Sequence, residues 1–191
     1  MHICAAAAIN AARASTAVAQ ILEEIASGGH LSTLAFSEPG SRSHFWAPVS
    51  RARRNGAGVR ITAKKSFVTS AGRAQSYVVS SLAPEGAGPT DSTLYLVPAG
   101  VRGLTVEGSW DGLGLRANAS APMMLDDCEV PYELHLTNDG AGFKARLAPA
   151  SRLLRAIEDR RQSPPVLAFA LEGPSYGSEG LGQWKDVGGD E

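Results

Sequence analysis

Leu34-Ala35-Phe36-Ser37-Glu38-Pro39-Gly40-Ser41-Arg42-Ser43 and a second stretch, Lys64-Lys65-Ser66-Phe67-Val68-Thr69-Ser70-Ala71-Gly72, decide how this chain reads. In each, a short apolar strand runs into hydroxyl side chains and a glycine turn. A turn of the Ser-Glu-Pro-Gly type exposes backbone N–H groups and hydroxyls where the strand ends. Two such ends, side by side, fit the polar edge of one planar ligand. Two polar turns with no ligand between them are the plainer alternative, and the residues alone leave both open.

Around these stretches, residues 31–37, 47–54, 58–63, 66–69, 76–82, 93–98, 103–107 and 120–129 read as β-strands. Alternation is clear in Val59-Arg60-Ile61-Thr62 and Leu94-Tyr95-Leu96-Val97, and Asn55-Gly56 signals a two-residue hairpin. Short strands at this spacing predict an antiparallel β-barrel or sandwich. Residues 1–28 predict one Ala-rich helix with an apolar face at Ile9, Ala12, Val18, Ile21, Leu22 and Ile25, closed by Gly28-Gly29. Beyond Pro131 the periodicity fades. Asn138-Asp139-Gly140 reads as a turn, and residues 143–161 read as a helix bearing Arg146, Arg152, Arg155, Arg160 and Arg161. The last thirty or so residues, rich in Pro and Gly, read as a weakly structured tail. The fold class expected is therefore α+β.

Composition narrows the function. The chain of 191 residues is 43% hydrophobic and 19% charged, with a formal net charge of −1, so no global field draws nucleic acid or an anionic membrane. No run reaches the roughly 18 apolar residues of a membrane helix. Met1-His2-Ile3-Cys4 lacks the basic lead of a secretory signal, and Asn10 and Arg13 interrupt the apolar run. Two cysteines, Cys4 and Cys128, without metal-like spacing suit a reduced, cytoplasmic location.

Other constellations carry less. Ser37 and Ser43 near His44 form no Gly-x-Ser-x-Gly elbow, so a serine hydrolase is disfavoured. Arg51, Arg53, Arg54, Arg60, Lys64 and Lys65 form a basic run without interleaved aromatics, expected on the solvated face of a hairpin. Contact with nucleotide phosphates is the secondary reading of that run. Trp110-Asp111-Gly112-Leu113-Gly114-Leu115-Arg116 lacks the full dinucleotide pattern, and Arg116 is a candidate ion-pair partner for Asp127.

The two opening stretches resemble signatures of the acyl-CoA dehydrogenase family, in its middle β-barrel domain. Ser37-Glu38-Pro39-Gly40-Ser41-Arg42-Ser43 is similar to the Thr/Ser-Glu-Pro-Gly-x-x-Ser signature, and Lys65-Ser66-Phe67-Val68-Thr69-Ser70-Ala71-Gly72 to the Lys-x-aromatic-Ile/Val-Thr-x-x-Gly element. Tyr77-Val78-Val79, Leu96-Val97-Pro98, Gly103-Leu104-Thr105-Val106, Leu113-Gly114-Leu115-Arg116-Ala117 and Val130-Pro131 fall in the family's order. The resemblance implies an end of an N-terminal helical domain at 1–29, a middle β domain at 30–133 and a partly helical or disordered extension at 134–191. It implies FAD as cofactor, held by Leu34, Phe36, Ser37, Phe67, Val68 and Thr69, and an acyl-CoA substrate reaching Ser43. Ser37 would bond the flavin's polar edge, Phe67 would pack on the isoalloxazine, and Thr69 would approach its N5.

The family's catalytic Glu belongs to a C-terminal helical domain not recognised here, and Arg42 and His44 depart from the signature. The expectation is thus an FAD-dependent oxidoreductase of fatty acid metabolism present as a truncated copy without that Glu. A flavin-dependent monooxygenase of the same fold is the alternative. A non-catalytic β module that binds a complementing subunit is another, and a homo-oligomer fits either enzyme reading.

Overall fold

The computed structural model describes residues 1–144, apart from 13, 14, 42, 43, 45, 112 and 115 and the side chain of Arg116. The expected arginine-bearing helix from 145 onward and the tail lie outside the described residues.

Where one N-terminal helix is predicted, there are two: α1 (His2–Asn10) and α2 (Thr16–Ala26). Ser15 makes the break. Its backbone is extended, its Oγ accepts from the Val18 N–H at 3.1 Å, and the same hydroxyl donates to the Glu133 carbonyl at 2.8 Å. A capping serine satisfies one of the orphan donors of a new helix, which a continuous apolar pattern conceals. The C-terminus follows expectation. Gly28 takes φ +79°, its N–H donates to the Ile25 carbonyl, and Gly29 N–H donates to the Glu24 carbonyl. That is the paired bonding of a Schellman stop. On α1, Ala5, Ala8 and Ile9 are buried and the helix packs on the first strand.

The strands are β1 (Ser32–Ala35), β2 (Arg53–Arg54), β3 (Gly58–Val68), β4 (Ser76–Leu82), β5 (Ser92–Pro98), β6 (Leu104–Val106) and β7 (Ala121–Pro131). They form two open sheets, ordered β1-β4-β5 and β2-β3-β7-β6, so the fold is a sandwich and not a closed barrel. All pairs are antiparallel except β1 with β4. The chain between those two parallel strands passes through β2 and β3 of the other sheet, as a parallel pair needs a crossover. The strands expected at 58–63 and 66–69 are one, while that expected at 47–54 shortens to Arg53–Arg54 plus a bridge from Arg51 to Leu82. The hairpin is present one residue later than expected. Asn55 N–H donates to the Gly58 carbonyl, leaving Gly56-Ala57 at the tip.

A single hydrophobic core joins both sheets, with Ile61, Tyr77, Val78, Leu94, Leu96, Met123 and Leu125 fully buried. The β3–β7 ladder is broken twice. Between Ile61 and Ala63 the extra residue lies on β7, where Asp127 has φ +50°. Between Lys65 and Val68 it lies on β3, where Phe67 has φ +53°. A bulge of this kind re-aims side chains and often stands beside a site. Asn138-Asp139-Gly140 is a turn, with Ala141 N–H on the Asn138 carbonyl. Among the described residues, no helix is long and apolar enough to cross a membrane.

Candidate functional site

The ends of β1 and β3 meet. Ser66 N–H donates to the Ser37 carbonyl at 3.0 Å, holding the chain just after β1 against the last turn of β3. Between them lies a cavity of about 160 Å³ lined by Met1, Leu34, Phe36, Ser37, Ser66, Phe67, Val68 and Thr69. Leu34, Phe36, Ser37, Phe67, Val68 and Thr69, the residues expected at a cofactor, thus share one cavity; Ser43 lies outside the described residues. A closed ligand pocket usually measures roughly 300–1,000 Å³, so these residues form one wall and not an enclosure.

The β3 bulge shapes this wall. Along β3, Val59, Ile61, Ala63 and Lys65 point inward, and strict alternation would send Phe67 after them. The extra residue reverses the phase, so Val68 is buried and Phe67 is 56% exposed at the cavity. Trp110 meets Phe67 edge to face, and its own Nε1–H donates to the Gly114 carbonyl at 2.6 Å. Among the described residues, the hydroxyls of Ser37 and Thr69 make no hydrogen bond. An exposed aromatic face flanked by two uncommitted hydroxyls fits a flat heterocycle with a polar edge.

Behind the wall stands a buried ion pair. Lys65, expected on a solvated face, is 0% exposed. Its Nζ donates to Glu38 Oε1 at 2.5 Å, to the Ser80 carbonyl at 2.6 Å and to the Phe36 carbonyl at 3.5 Å. Glu38 also accepts from the N–H groups of Val49 and Ser50 and from Ser50 Oγ. Burial pushes the Glu38 carboxyl up, but the Lys65 ammonium and the hydrogen bonds from Lys65 and Ser50 outweigh it and hold it below its ordinary value. Lys65 escapes the solvated reading because a buried cation is tolerated only with such a partner set.

Three other members of the basic run, Arg53, Arg54 and Arg60, are ion-paired. Arg53 and Arg60 both bind Asp127, Arg60 reaches Glu129, and Arg54 pairs with Glu85 and Asp139. Arg51 donates to the carbonyls of Ala83, Pro84 and Gly86. Hydrogen bonding from Arg60 lowers the Asp127 carboxyl. Asp127 therefore takes Arg53 and Arg60 as partners; the side chain of the expected partner, Arg116, lies outside the described residues.

Two nucleophile-like arrangements are structural. His44 packs its ring on Trp46, and no hydrogen bond joins it to Ser37 among the described residues. Glu24, His30 and Ser76 form a hydrogen-bonded line, yet Ser76 is buried and spends its hydroxyl on Ser32. Among the described residues, no cluster could hold a metal.

Sequence reasoning missed Ser66 and Met1 at the cavity, Trp110 against Phe67, and the Glu38–Lys65 pair behind the wall. The signatures contained Glu38 and Lys65 without a role, and one acid and one base in the two neighbouring strand ends were the available signal.

Residues 33–128 match the acyl-CoA dehydrogenase middle domain. The chain is 30% identical over 125 residues to the mitochondrial short-chain specific acyl-CoA dehydrogenase of Rattus norvegicus, covering 65% of this chain and 30% of that protein. It is 32% identical over 98 residues to an amino sugar nitrososynthase of Streptomyces peucetius, covering 51% of this chain and 24% of the other. A crystal structure of an FAD-dependent dehydrogenase superposes with a TM-score of 0.71 at 24% identity, covering 77% of this chain and 40% of that one. The chain thus spans about 30% of the length of the dehydrogenase it matches.

Proposed function

The chain belongs to the acyl-CoA dehydrogenase family, and from that premise we propose that it supplies the flavin-facing wall of an FAD-dependent oxidoreductase acting on acyl-CoA thioesters. The single observation that carries this reading is the convergence of Leu34, Phe36, Ser37, Phe67, Val68 and Thr69 on one cavity. Ser37 and Thr69 would hold the polar edge of the isoalloxazine, and Phe67, braced by Trp110, would cover its face. FAD, when bound, supplies the acceptor for the hydride that leaves the substrate's β-carbon.

Around that chemistry this chain binds, orients and excludes water. Leu34, Phe36 and Val68 offer an apolar wall, and the fixed Ser66–Ser37 bond holds the two strand ends together. No carboxylate lines the cavity among the described residues, and Glu38 is committed to Lys65, Val49 and Ser50. A general base must reach the proton it removes. We therefore assign removal of the α-proton to a carboxylate outside the described residues. The same reading divides the chain into residues 1–29, 30–133 and 134–191, places Ser43 toward the CoA moiety, and assigns a cytoplasmic role in fatty acid metabolism.

A second reading is flavin-dependent monooxygenation on the same wall; a relative named as an amino sugar nitrososynthase suits it, since turning an amine into a nitroso group adds oxygen. Titration of the purified chain with FAD, followed by anaerobic addition of a short-chain acyl-CoA, separates the readings. Bound flavin that bleaches supports the dehydrogenase. Flavin that binds without bleaching, yet consumes oxygen once reduced, supports the monooxygenase. Absence of flavin binding overturns both and leaves a non-catalytic module for a partner subunit.

A further inference from the structure

Lys65 reaches three separate segments from one buried atom. Its backbone belongs to β3 immediately before Ser66 and Phe67, while its Nζ holds the Phe36 carbonyl just before Ser37 and the Ser80 carbonyl on β4. Glu38, the residue after Ser37, takes the same ammonium and gathers the N–H groups of Val49 and Ser50. The pair therefore ties the Leu34–Ser37 side of the cavity to the Ser66–Thr69 side, from behind and out of solvent. Neither side chain lines the cavity on the Phe67 face.

An apolar pair of similar volume would satisfy the core at this position, and buried ion pairs are weak contributors to stability in their own right. What an apolar pair could not do is hold two carbonyls and two N–H groups in fixed directions. We infer that Glu38 and Lys65 are positioning residues of the flavin wall, which set the separation of Ser37 from Ser66–Thr69 without touching the ligand; this rests on the flavin reading above.

The test uses the full chain and the variants Lys65→Met, Glu38→Gln and the double Glu38→Gln/Lys65→Met. Three quantities are read: the FAD dissociation constant by flavin fluorescence, the urea midpoint, and amide hydrogen exchange at Ser66 against that at Val78 and Leu96. Each single variant is expected to weaken FAD binding at least tenfold and to speed exchange at Ser66 by a larger factor than at Val78 and Leu96. The double variant, which leaves no unpaired buried charge, is expected to recover the urea midpoint but not the FAD affinity. Recovery of both together, or exchange that rises uniformly across β3, β4 and β5, overturns the inference in favour of a purely structural pair. If the unaltered chain binds no FAD, the flavin reading fails, and local loss of Ser66 protection still decides whether the pair sets the wall.

Discussion

Phe67, which lines the cavity between β1 and β3, meets Trp110 edge to face, ring centroids 5.0 Å apart with their planes at 90°. Phe67 holds this place at a left-handed φ of +53°. For a bulky residue that backbone costs roughly 1–2 kcal/mol, while an edge-to-face pair returns about 0.5–1.5 kcal/mol. Phe67→Gly removes both terms, which largely offset each other, so urea unfolding is expected to move by no more than about 1.5 kcal/mol. FAD affinity is expected to fall at least tenfold. An unchanged affinity would remove Phe67 from the flavin wall.

Acid should expose the Glu38–Lys65 pair. Because the folded carboxyl lies below its ordinary value of 4.5, its contribution to stability is fully present above that value. The contribution is lost as pH falls through the lowered, folded value. Urea unfolding between pH 3 and 7 is expected to show a shallower acid loss for Glu38→Gln than for the unaltered chain. Identical slopes would contradict the depressed carboxyl. At pH 7, Lys65→Met is expected to cost roughly 3–5 kcal/mol by stranding a buried carboxylate.

Thr33 on β1 is 1% exposed, and its Oγ1 has no hydrogen-bond partner among the described residues. Replacing an unsatisfied buried hydroxyl by a methyl of the same shape removes a desolvation cost without opening a cavity. Thr33→Val is expected to stabilise the chain by about 1 kcal/mol, read from the urea midpoint. A loss of similar size would mean that the hydroxyl is used in solution.

Gly103 precedes β6 with φ +91°, and a Cβ there would stand 2.1 Å from the Asp126 carbonyl oxygen. Gly108, at φ +65°, has open space around it. Gly103→Ala is expected to cost about 3 kcal/mol or more, and Gly108→Ala about 1 kcal/mol, by the same denaturation measurement. Equal costs would show that only the backbone conformation matters at Gly103.

Much of the fold was legible because the signals were local. Alternation in residues 58–63 and 93–98 needs no knowledge of neighbours, and the Gly28-Gly29 stop is a short-range bond pattern. The parallel β1–β4 pair was not legible, since its crossover passes through another sheet. Nor was the break at Ser15, where one hydroxyl overrides a continuous apolar face. At the cavity, hydroxyls and an aromatic at two strand ends pointed to Ser37, Phe67 and Thr69, and only the resemblance to the family added Leu34, Phe36 and Val68. Lys65 was misread because a cation on an inward phase looks solvated until its partner, 27 residues earlier, is known. Trp110 was missed because its approach to Phe67 depends on where the chain after β6 travels.

The bulge between Lys65 and Val68 means that this aromatic wall is encoded by a count as much as by an identity. Delete one residue from Ser66-Phe67 and the strand regains strict alternation. Only one outward position would then remain between Lys65 and Val68, so Ser66, whose N–H holds the Ser37 carbonyl, and the aromatic could not both be kept at the cavity. Length in this short segment is therefore under tighter constraint than composition, and a one-residue deletion is expected to be more harmful than Phe67→Tyr or Phe67→Trp.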